Sequence, residues 1–179
     1  VAFSTGFQGR ERAIVDLFTA TFTASEGAEE GALIGDLARN LLRRTPDDDL
    51  FVFTAEEAGE IVGAIVFSRL TYARDERTVF ILAPAAVTTD RQRTGIGRRL
   101  IAHGLAALRR EGVDVALTYG DPAYYARVGF TPITQAFAPA PFELKHPEGW
   151  LGQSLTEREM TPLAGPSRCV EALNEPVFW

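Results

Sequence analysis

The stretch that decides the fold runs from Leu82 to Ile101 and reads LAPAAVTTDRQRTGIGRRLI. An apolar segment leads into a polar turn with two glycines, and an amphipathic pattern follows. Because Gly95 and Gly97 carry no Cβ, the backbone of this turn can come close to a ligand. The first N–H groups of a helix have no intrahelical partner and lie at the positive end of its dipole. The stretch therefore predicts a cradle for an anion such as a phosphate.

Positive charge surrounds this turn, although the chain as a whole has a formal net charge of −6. A local excess of cations on an acidic background indicates a phosphate-bearing ligand. The same net charge argues against general nucleic-acid binding, which needs a broad basic surface, and weakens attraction to anionic membranes. The cations concerned are Arg91, Arg93, Arg98 and Arg99.

Length and composition indicate one globular domain. The chain has 179 residues, of which 46% are hydrophobic, enough for a proper core. We expect the domain to span residues 1–160, and the tail over 161–179 to pack on it or on a partner subunit. The tail ends in aromatic residues, which favours a homodimer if they are exposed. Since the chain starts at Val1 without a methionine, a first strand is expected to be truncated or renumbered.

The cysteine content and the hydropathy of the chain indicate where the protein is located. Cys169 is the single cysteine and cannot form an intramolecular disulfide, so we expect a reducing, cytoplasmic setting and no nucleophilic role for this thiol. No apolar run reaches the length of a membrane span, and no signal-peptide pattern opens the chain. No metal site is predicted, because the acidic run 47–49 is interpreted as a solvated loop.

Hydrophobic periodicity predicts alternating helices and strands. A helix crossover joins the strand before the glycine turn to the strand after the long helix, so these two strands should run parallel. A short helix and a glycine stop should follow near residues 121–129. The predicted helices are 9–24, 29–44 and 95–111. The predicted strands are 50–54, 61–69, 78–87, 113–118, a strand that begins at Phe130, 142–145 and 150–155.

Two common phosphate-binding motifs are excluded by single positions. A dinucleotide fingerprint starting at Gly95 needs a third glycine at position 100, which Leu100 occupies. A P-loop needs Gly-Lys followed by Ser or Thr, and the chain contains no such triplet. The cradle must therefore be of another kind.

The remaining pattern resembles the GNAT superfamily of acyl-CoA-dependent N-acetyltransferases, in particular a bacterial branch of predicted small acetyltransferases. The segment from Gln92 to Gly97 matches the family motif Gln/Arg-x-x-Gly-x-Gly/Ala. The segment from Tyr125 to Phe130 matches Tyr-x-x-x-Gly-Phe, in the expected order and at the expected separation. The resemblance covers roughly residues 9–155.

The resemblance implies an α/β fold whose mixed, mostly antiparallel sheet is splayed at a parallel pair and flanked by helices. It also implies acetyl-CoA as co-substrate. Backbone amides of the glycine turn would hold the pyrophosphate, and the end of the preceding strand would pair with the pantetheine arm. The cofactor-binding residues implied are Ala86, Val87, Gln92, Arg93, Thr94, Gly95, Ile96, Gly97 and Arg98.

Tyr125 lies where the family has its general acid, which protonates the departing thiolate. A backbone N–H would polarise the acyl carbonyl, and the acetyl group would pass directly to a primary amine of a small-molecule or peptide acceptor. Two alternatives stay open: Tyr125 as a core aromatic beside Tyr124, and the whole domain as a catalytically degenerate acyl-CoA-binding module. Another acyl donor also stays open.

The sequence identifies neither the acceptor nor a general base. Glu26, Glu29 and Glu30 lie near the loop that often frames the acceptor site in the family, but solvated positions suit them better. Asp121 is expected to cap the short helix rather than to act as a base. His103 is expected at the surface.

Overall fold

The computed structural model describes residues 1–179 and divides into two compact units. Unit 1 comprises Val1–Phe67 and Pro84–Gly104, and unit 2 comprises Ser68–Ala83 and Leu105–Trp179. The helices are α1 (Glu11–Glu26), α2 (Ala28–Arg44), α3 (Ile96–Arg110) and α4 (Pro122–Ala126). The strands are β1 (Ala2–Thr5), β2 (Leu50–Glu57), β3 (Glu60–Arg69), β4 (Thr71–Tyr72), β5 (Val79–Val87), β6 (Val115–Tyr119), β7 (Thr131–Pro132), β8 (Trp150–Ser154) and β9 (Ser167–Arg168). None of the helices combines the length and the apolar character that a membrane crossing requires.

Seven strands form a mixed sheet in the order β1-β2-β3-β5-β6-β8-β7, and β4 pairs separately with β9. β5 and β6 run parallel, whereas β1 with β2, β6 with β8, and β7 with β8 run antiparallel. This confirms the predicted α/β fold with a mostly antiparallel sheet and one parallel pair. The parallel register ends at the pair Leu82 and Thr118, and β5 continues past it to Val87.

Helices α1 and α2 pack closely in unit 1 because glycines of α2 face threonines of α1. A Cβ atom on Gly31 would lie 2.8 Å from the carbonyl oxygen of Thr19 and would overlap the Thr23 hydroxyl. A Cβ on Gly35 would likewise overlap the Thr19 hydroxyl. The close helix crossing therefore depends on hydrogen atoms at both glycine positions.

The first half of α3 packs on strands β2 and β3, also in unit 1. A Cβ on Gly104 would lie 2.9 Å from Cε2 of Phe67 and 3.1 Å from Cδ2 of Phe53. Leu100 has no solvent exposure and faces the same strands. The predicted end of the helix is confirmed, since Gly112 has φ +84 and its N–H donates to the carbonyl of Arg109.

The predicted strands and the observed strands differ in several places. Residues 142–145 do not form a strand, because β8 is already paired with β6 on one edge and with β7 on the other. Leu144 is nevertheless buried, which explains the apolar alternation in that segment. The predicted strands also lack β1, which pairs antiparallel with β2 through Phe3 and Ala55, and the two-residue strands β4 and β9.

The tail over 161–179 packs within unit 2. Trp179 is 3% exposed, donates its indole N–H to the carbonyl of Leu173 at 2.9 Å, and lies edge-on to Trp150 with ring centroids 6.1 Å apart. Because this terminal aromatic is covered by its own chain, it gives no argument for a second subunit.

An ion pair holds the start of the tail. The Asp75 carboxylate accepts hydrogen bonds from Nε and Nη2 of Arg77 at 2.9 and 2.7 Å. Arg77 also donates to the carbonyls of Thr161 and Pro162, and Asp75 accepts from the Ala164 N–H. The Arg77 guanidinium lowers the pKa of Asp75 to about 2.

Candidate active site

The glycine turn has an unusual backbone. Arg93 has φ +63 and Gly95 has φ +85, so two left-handed residues precede the first turn of α3. Ile96, which is 3% exposed, fixes the start of the helix in the core. Such alternation of left- and right-handed residues turns successive N–H groups towards one side and forms an anion-binding concavity.

The amides at the start of α3 are open. The hydrogen bond from Arg99 N to Gly95 O, at 3.1 Å, begins the helical ladder. The N–H groups of Ile96, Gly97 and Arg98 precede it and have no acceptor within the helix. The structure thus brings these predicted residues together as a set of donors at the positive end of α3.

Side-chain hydrogen bonds shape the loop between β5 and α3. Thr94 Oγ1 donates to the carbonyl of Arg91 at 2.6 Å, and Gln92 Nε2 donates to the carbonyl of Val87 at 3.0 Å. Gln92 therefore joins the loop to the end of β5. Both side chains act on the backbone of the turn, which explains why polar residues that can bond locally occur there.

β5 contains a bulge that the sequence does not reveal. Leu70 N donates to Val79 O at 2.9 Å, and Thr88 N donates to Val62 O at 2.8 Å. From one bond to the other, the β3 side advances by eight positions, from 62 to 70, and the β5 side by nine, from 79 to 88. The β5 side therefore contains one extra residue, which is a β-bulge.

The hydrogen bond of Thr88 shows which way the last backbone groups of β5 point. The Thr88 N–H faces β3, and backbone groups of successive residues face opposite edges of a strand, so those of Val87 face away from β3. The carbonyl of Val87 is bonded to Gln92. The N–H of Val87 is then directed towards the edge of β5 that faces away from β3.

The arginines around the turn fall into two classes. Arg91 pairs with Glu57 at 2.7 Å and with Asp90 at 3.2 Å, and the hydrogen bond to Glu57 raises its pKa. Arg93, Arg98 and Arg99 are exposed and make no salt bridge.

The uncompensated arginines lie at the unfavourable end of a helix. Nη2 of Arg98 lies 3.7 Å from the position of a Cβ on Gly95, and Nε of Arg99 donates to the Gly95 carbonyl at 3.3 Å. The first turn of α3 contains no acidic residue. Cations here oppose the helix dipole and repel one another, and a bound anion would relieve both effects.

Tyr125 belongs to α4 in unit 2. Asp121 Oδ1 accepts the N–H of Ala123 at 3.0 Å and so caps α4, as expected. Gly129, with φ +95, ends this segment, and Phe130 follows in the core with 1% exposure. The Tyr125 ring lies edge-on to Phe130, with centroids 5.8 Å apart.

The ring of Tyr125, which is half-buried, packs against Gly120. A Cβ on Gly120 would lie 2.7 Å from Cε2 of Tyr125, so only glycine leaves room for the ring. Burial raises the pKa of Tyr125 to about 12, and the Thr118 side chain opposes this effect only in part. Tyr125 is therefore protonated at neutral pH, as a proton donor must be.

The other candidate groups are three glutamates, a cysteine and a histidine, and they differ in exposure. Glu26 and Glu29 are exposed and Glu30 is half-buried, so none of them lies in the core as a desolvated base would. Cys169 is buried, and burial raises the pKa of its thiol to about 11. This thiol is not activated as a nucleophile. His103 is half-buried between the rings of Phe3 and Phe53 rather than at the open surface.

Sequence reasoning missed Gly120 and Thr118. The Gly-Asp-Pro sequence at 120–122 indicates a turn, but it does not show that Gly120 makes room for a ring five residues later. Nothing in the sequence marks the buried hydroxyl of Thr118, because threonine is common in strands.

Sequence similarity connects this chain with known acetyltransferases. A family model described as an acetyltransferase (GNAT) domain matches residues 48–132, which include the glycine turn and Tyr125. The uncharacterized N-acetyltransferase YjhQ of Escherichia coli is 36% identical over 141 residues, which are 76% of this chain and 77% of that protein.

Two solved structures have the same fold. The GNAT family N-acetyltransferase YhbS of Escherichia coli, in complex with CoA, has a TM-score of 0.76 at 22% identity and covers 97% of this chain and 92% of its own. A GNAT family acetyltransferase from Brucella melitensis, in complex with acetyl-CoA, has a TM-score of 0.74 at 24% identity and covers 96% of this chain and 97% of its own. The open helix start, the bulged strand and the two sequence motifs thus occur together in a chain that belongs to the GNAT family of acetyltransferases.

Proposed function

We propose that this protein transfers the acetyl group of acetyl-CoA to a primary amine. The observation that carries the proposal is the set of open amides at the start of α3, together with the unpaired cations Arg93, Arg98 and Arg99. Such a site suits a pyrophosphate, whose charge the N–H groups and guanidinium groups would share. The relatives whose structures contain CoA and acetyl-CoA have the same fold.

Acetyl-CoA would bind through the backbone. The pyrophosphate would take the amides of the turn from Arg93 to Arg98, including those of Thr94, Gly95, Ile96 and Gly97. The Gln92 N–H is bonded to the Thr89 carbonyl at 3.5 Å, so Gln92 would contribute by shaping the turn. The pantetheine arm pairs with the end of β5, where Val87 offers its N–H and Ala86 lies beside it. No metal is assigned to the reaction.

Tyr125 would act as the general acid. The amine nitrogen attacks the thioester carbonyl carbon, the C–S bond breaks, and the thiolate receives the Tyr125 proton. The excess proton on the nitrogen leaves to water. No glutamate is proposed as the base, since Glu26 and Glu29 are exposed and Glu30 is half-buried. Because its pKa is about 12, Tyr125 is protonated at neutral pH and can donate a hydrogen bond to the thiolate as the C–S bond breaks.

The acceptor class rests on the family and on charge. The chain has 24 acidic and 18 basic residues, a balance that favours approach of a cationic amine over an acidic one. The single cysteine fits a cytoplasmic enzyme.

Calorimetry followed by a thiol-release assay tests the proposal. Acetyl-CoA and CoA should bind at about micromolar concentration. ATP is the control, because it has a polyphosphate but no pantetheine arm, and it should bind more weakly. Thiol release is then measured over a panel of amines. Absence of acetyl-CoA binding would refute the assignment, and binding without turnover on any amine would indicate an acyl-CoA-binding module instead.

A further inference from the structure

A cavity of about 600 Å³ lies beside the edge strand β7 in unit 2. Its volume is in the range of small-molecule binding sites. The lining comes from β7, from the end of β8 and from the segments next to these strands. None of the lining residues is among those proposed to bind acetyl-CoA or to donate a proton to the thiolate. The cavity is therefore a second place in the chain where a small ligand fits.

The apolar part of the lining is held in place by backbone bonds and by packing. The Phe137 carbonyl accepts the N–H of Leu163 at 2.9 Å, which ties this lining residue to the tail. On β8, a Cβ on Gly152 would lie 3.1 Å from Cε of Met160 and 3.3 Å from Cδ1 of Ile133, so both side chains pack over the glycine. The apolar wall therefore exists before any ligand binds.

A nearly buried amide lines the same cavity. Gln153 is 9% exposed, and its Nε2 donates to the carbonyl of Val128 at 2.9 Å. Because only the nitrogen of an amide donates, this bond identifies the other atom as the oxygen. Oε1 accepts no hydrogen bond and lies 3.0 Å from the position of a Cβ on Gly129, where glycine leaves it uncovered. The cavity thus offers an acceptor to a donor from a ligand.

The lining carries negative charge and no positive charge. Glu159 is exposed and makes no salt bridge, and every other lining residue is uncharged. Arg158 is next to it in the chain but does not line the cavity. The hydroxyl of Thr131 donates to the carbonyl of Gly152 at 3.3 Å, so it presents its lone pairs to a ligand. An anion would meet no cation here, whereas a group with several N–H donors would be matched.

We propose that this cavity is a binding site for a small organic amine. The ammonium group contacts the Glu159 carboxylate and Oε1 of Gln153, which accept its N–H donors. The apolar part of the ligand packs on Ile133, Phe137 and Met160. The site goes beyond acetyl transfer, because no step of that reaction uses these residues and binding here needs no acetyl-CoA.

The single methionine of the chain reports on the site directly. Met160 lines the cavity, so labelling with [methyl-¹³C]methionine places one NMR signal there, which Met160→Leu assigns by its loss. The probe is phenethylamine, which carries an ammonium group and an aromatic ring at neutral pH. It should shift the signal saturably with a Kd of about 1 mM, as expected for so small a ligand. Phenethyl alcohol, which is neutral, should bind more weakly, and the anion phenylacetate should not bind.

Two substitutions separate the polar contacts. Glu159→Gln, at an exposed position, should weaken phenethylamine binding about two- to fivefold and leave phenethyl alcohol binding unchanged. Glu157→Gln is the matched control, since Glu157 is exposed in the same segment but does not line the cavity. Gln153→Leu removes the amide oxygen and should weaken binding of both the amine and the alcohol about fivefold.

Thermal unfolding shows whether Gln153→Leu is folded, since this change also removes the bond to Val128. If it is not folded, Glu159→Gln and its control decide. Absence of a saturable shift with phenethylamine would overturn the inference, as would equal affinity for phenylacetate or equal effects of Glu159→Gln and Glu157→Gln. None of these titrations measures acetyl transfer, so a failure of this site and a failure of the proposed function are separate results.

Discussion

The ring of Tyr125 occupies the space that a side chain at position 120 would need, since a Cβ on Gly120 would lie 2.7 Å from its Cε2 atom. Gly120→Ala should therefore displace the phenol and lower kcat at least tenfold, with little effect on acetyl-CoA affinity. The double variant Gly120→Ala with Tyr125→Phe is the control. It should be no slower than Tyr125→Phe alone, and an additional loss would show that Gly120 acts through another group.

Tyr125→Phe should lower kcat by about 10²-fold or more, because the leaving thiolate loses its proton donor. Acetyl-CoA affinity, measured by calorimetry, should stay within about twofold. Tyr124→Phe is the matched control, since Tyr124 is the adjacent ring with centroids 5.1 Å apart and is 36% exposed. Equal activity of Tyr125→Phe and the wild type would remove Tyr125 from the mechanism.

The arginines at the start of α3 should affect binding and stability in opposite directions. Arg98→Ala and Arg99→Ala should each weaken acetyl-CoA binding roughly tenfold, most strongly at low salt. Without ligand, the same changes should stabilise the chain by about 0.3–1 kcal/mol, because a cation is removed from the positive end of the dipole.

Arg109→Ala is the control for these variants, since Arg109 is exposed in the last turn of the same helix. It should leave binding unchanged and should lower stability slightly, because a cation at the C-terminal end is favourable. Calorimetry and urea unfolding measure the two quantities. A loss of ligand-free stability on removal of Arg98 would contradict the electrostatic account.

The α1–α2 crossing should not tolerate a larger residue at its centre. Gly31→Ala places a methyl group against the Thr19 carbonyl and the Thr23 hydroxyl, and overpacking of this kind costs roughly 1–3 kcal/mol. Glu29→Ala, at an exposed position in the first turn of the same helix, removes a favourable dipole interaction and should cost less, about 0.3–1 kcal/mol. Urea unfolding of both variants compares them, and a stabilised Gly31→Ala protein would disprove the close contact.

The Asp75–Arg77 pair should make stability depend on acid pH. The pKa of Asp75 falls from 3.8 to about 2 in the folded state, so its contribution is complete above pH 3.8 and is lost as the pH falls towards 2. Asp75→Asn should lower the unfolding free energy at neutral pH, and its deficit should shrink below pH 4. Asp16→Asn, at a carboxylate that is 71% exposed, is the matched surface control. A deficit for Asp75→Asn that stays constant with pH would exclude the linkage.

The parts of the fold that follow from local periodicity were predictable. The apolar spacing from Ile96 to Leu108 and the stop at Gly112 determine α3, and the crossover fixes the parallel direction of β5 and β6. The segment 142–145 has the alternation of a strand, but whether a strand forms depends on a free sheet edge, which is a property of the whole fold.

Only the site residues that belong to the two sequence motifs were predictable. The turn from Gln92 to Gly97 and Tyr125 follow from the family pattern. The bulge in β5 arises from pairing with β3, and no local signal marks either this bulge or the left-handed conformation of Arg93. The same holds for the hydrogen bond from Thr118 to Leu82, which joins residues 36 positions apart.

The contact between Trp150 and Trp179 has a practical consequence for spectroscopy. These are the two tryptophans of the chain, both are buried, and both belong to unit 2. Their edge-on rings should give a coupled signal in near-ultraviolet circular dichroism, and their fluorescence should respond when the tail detaches from β8. The emission of this protein is thus a native reporter of unit 2, while ligand binding at the start of α3 is followed by calorimetry.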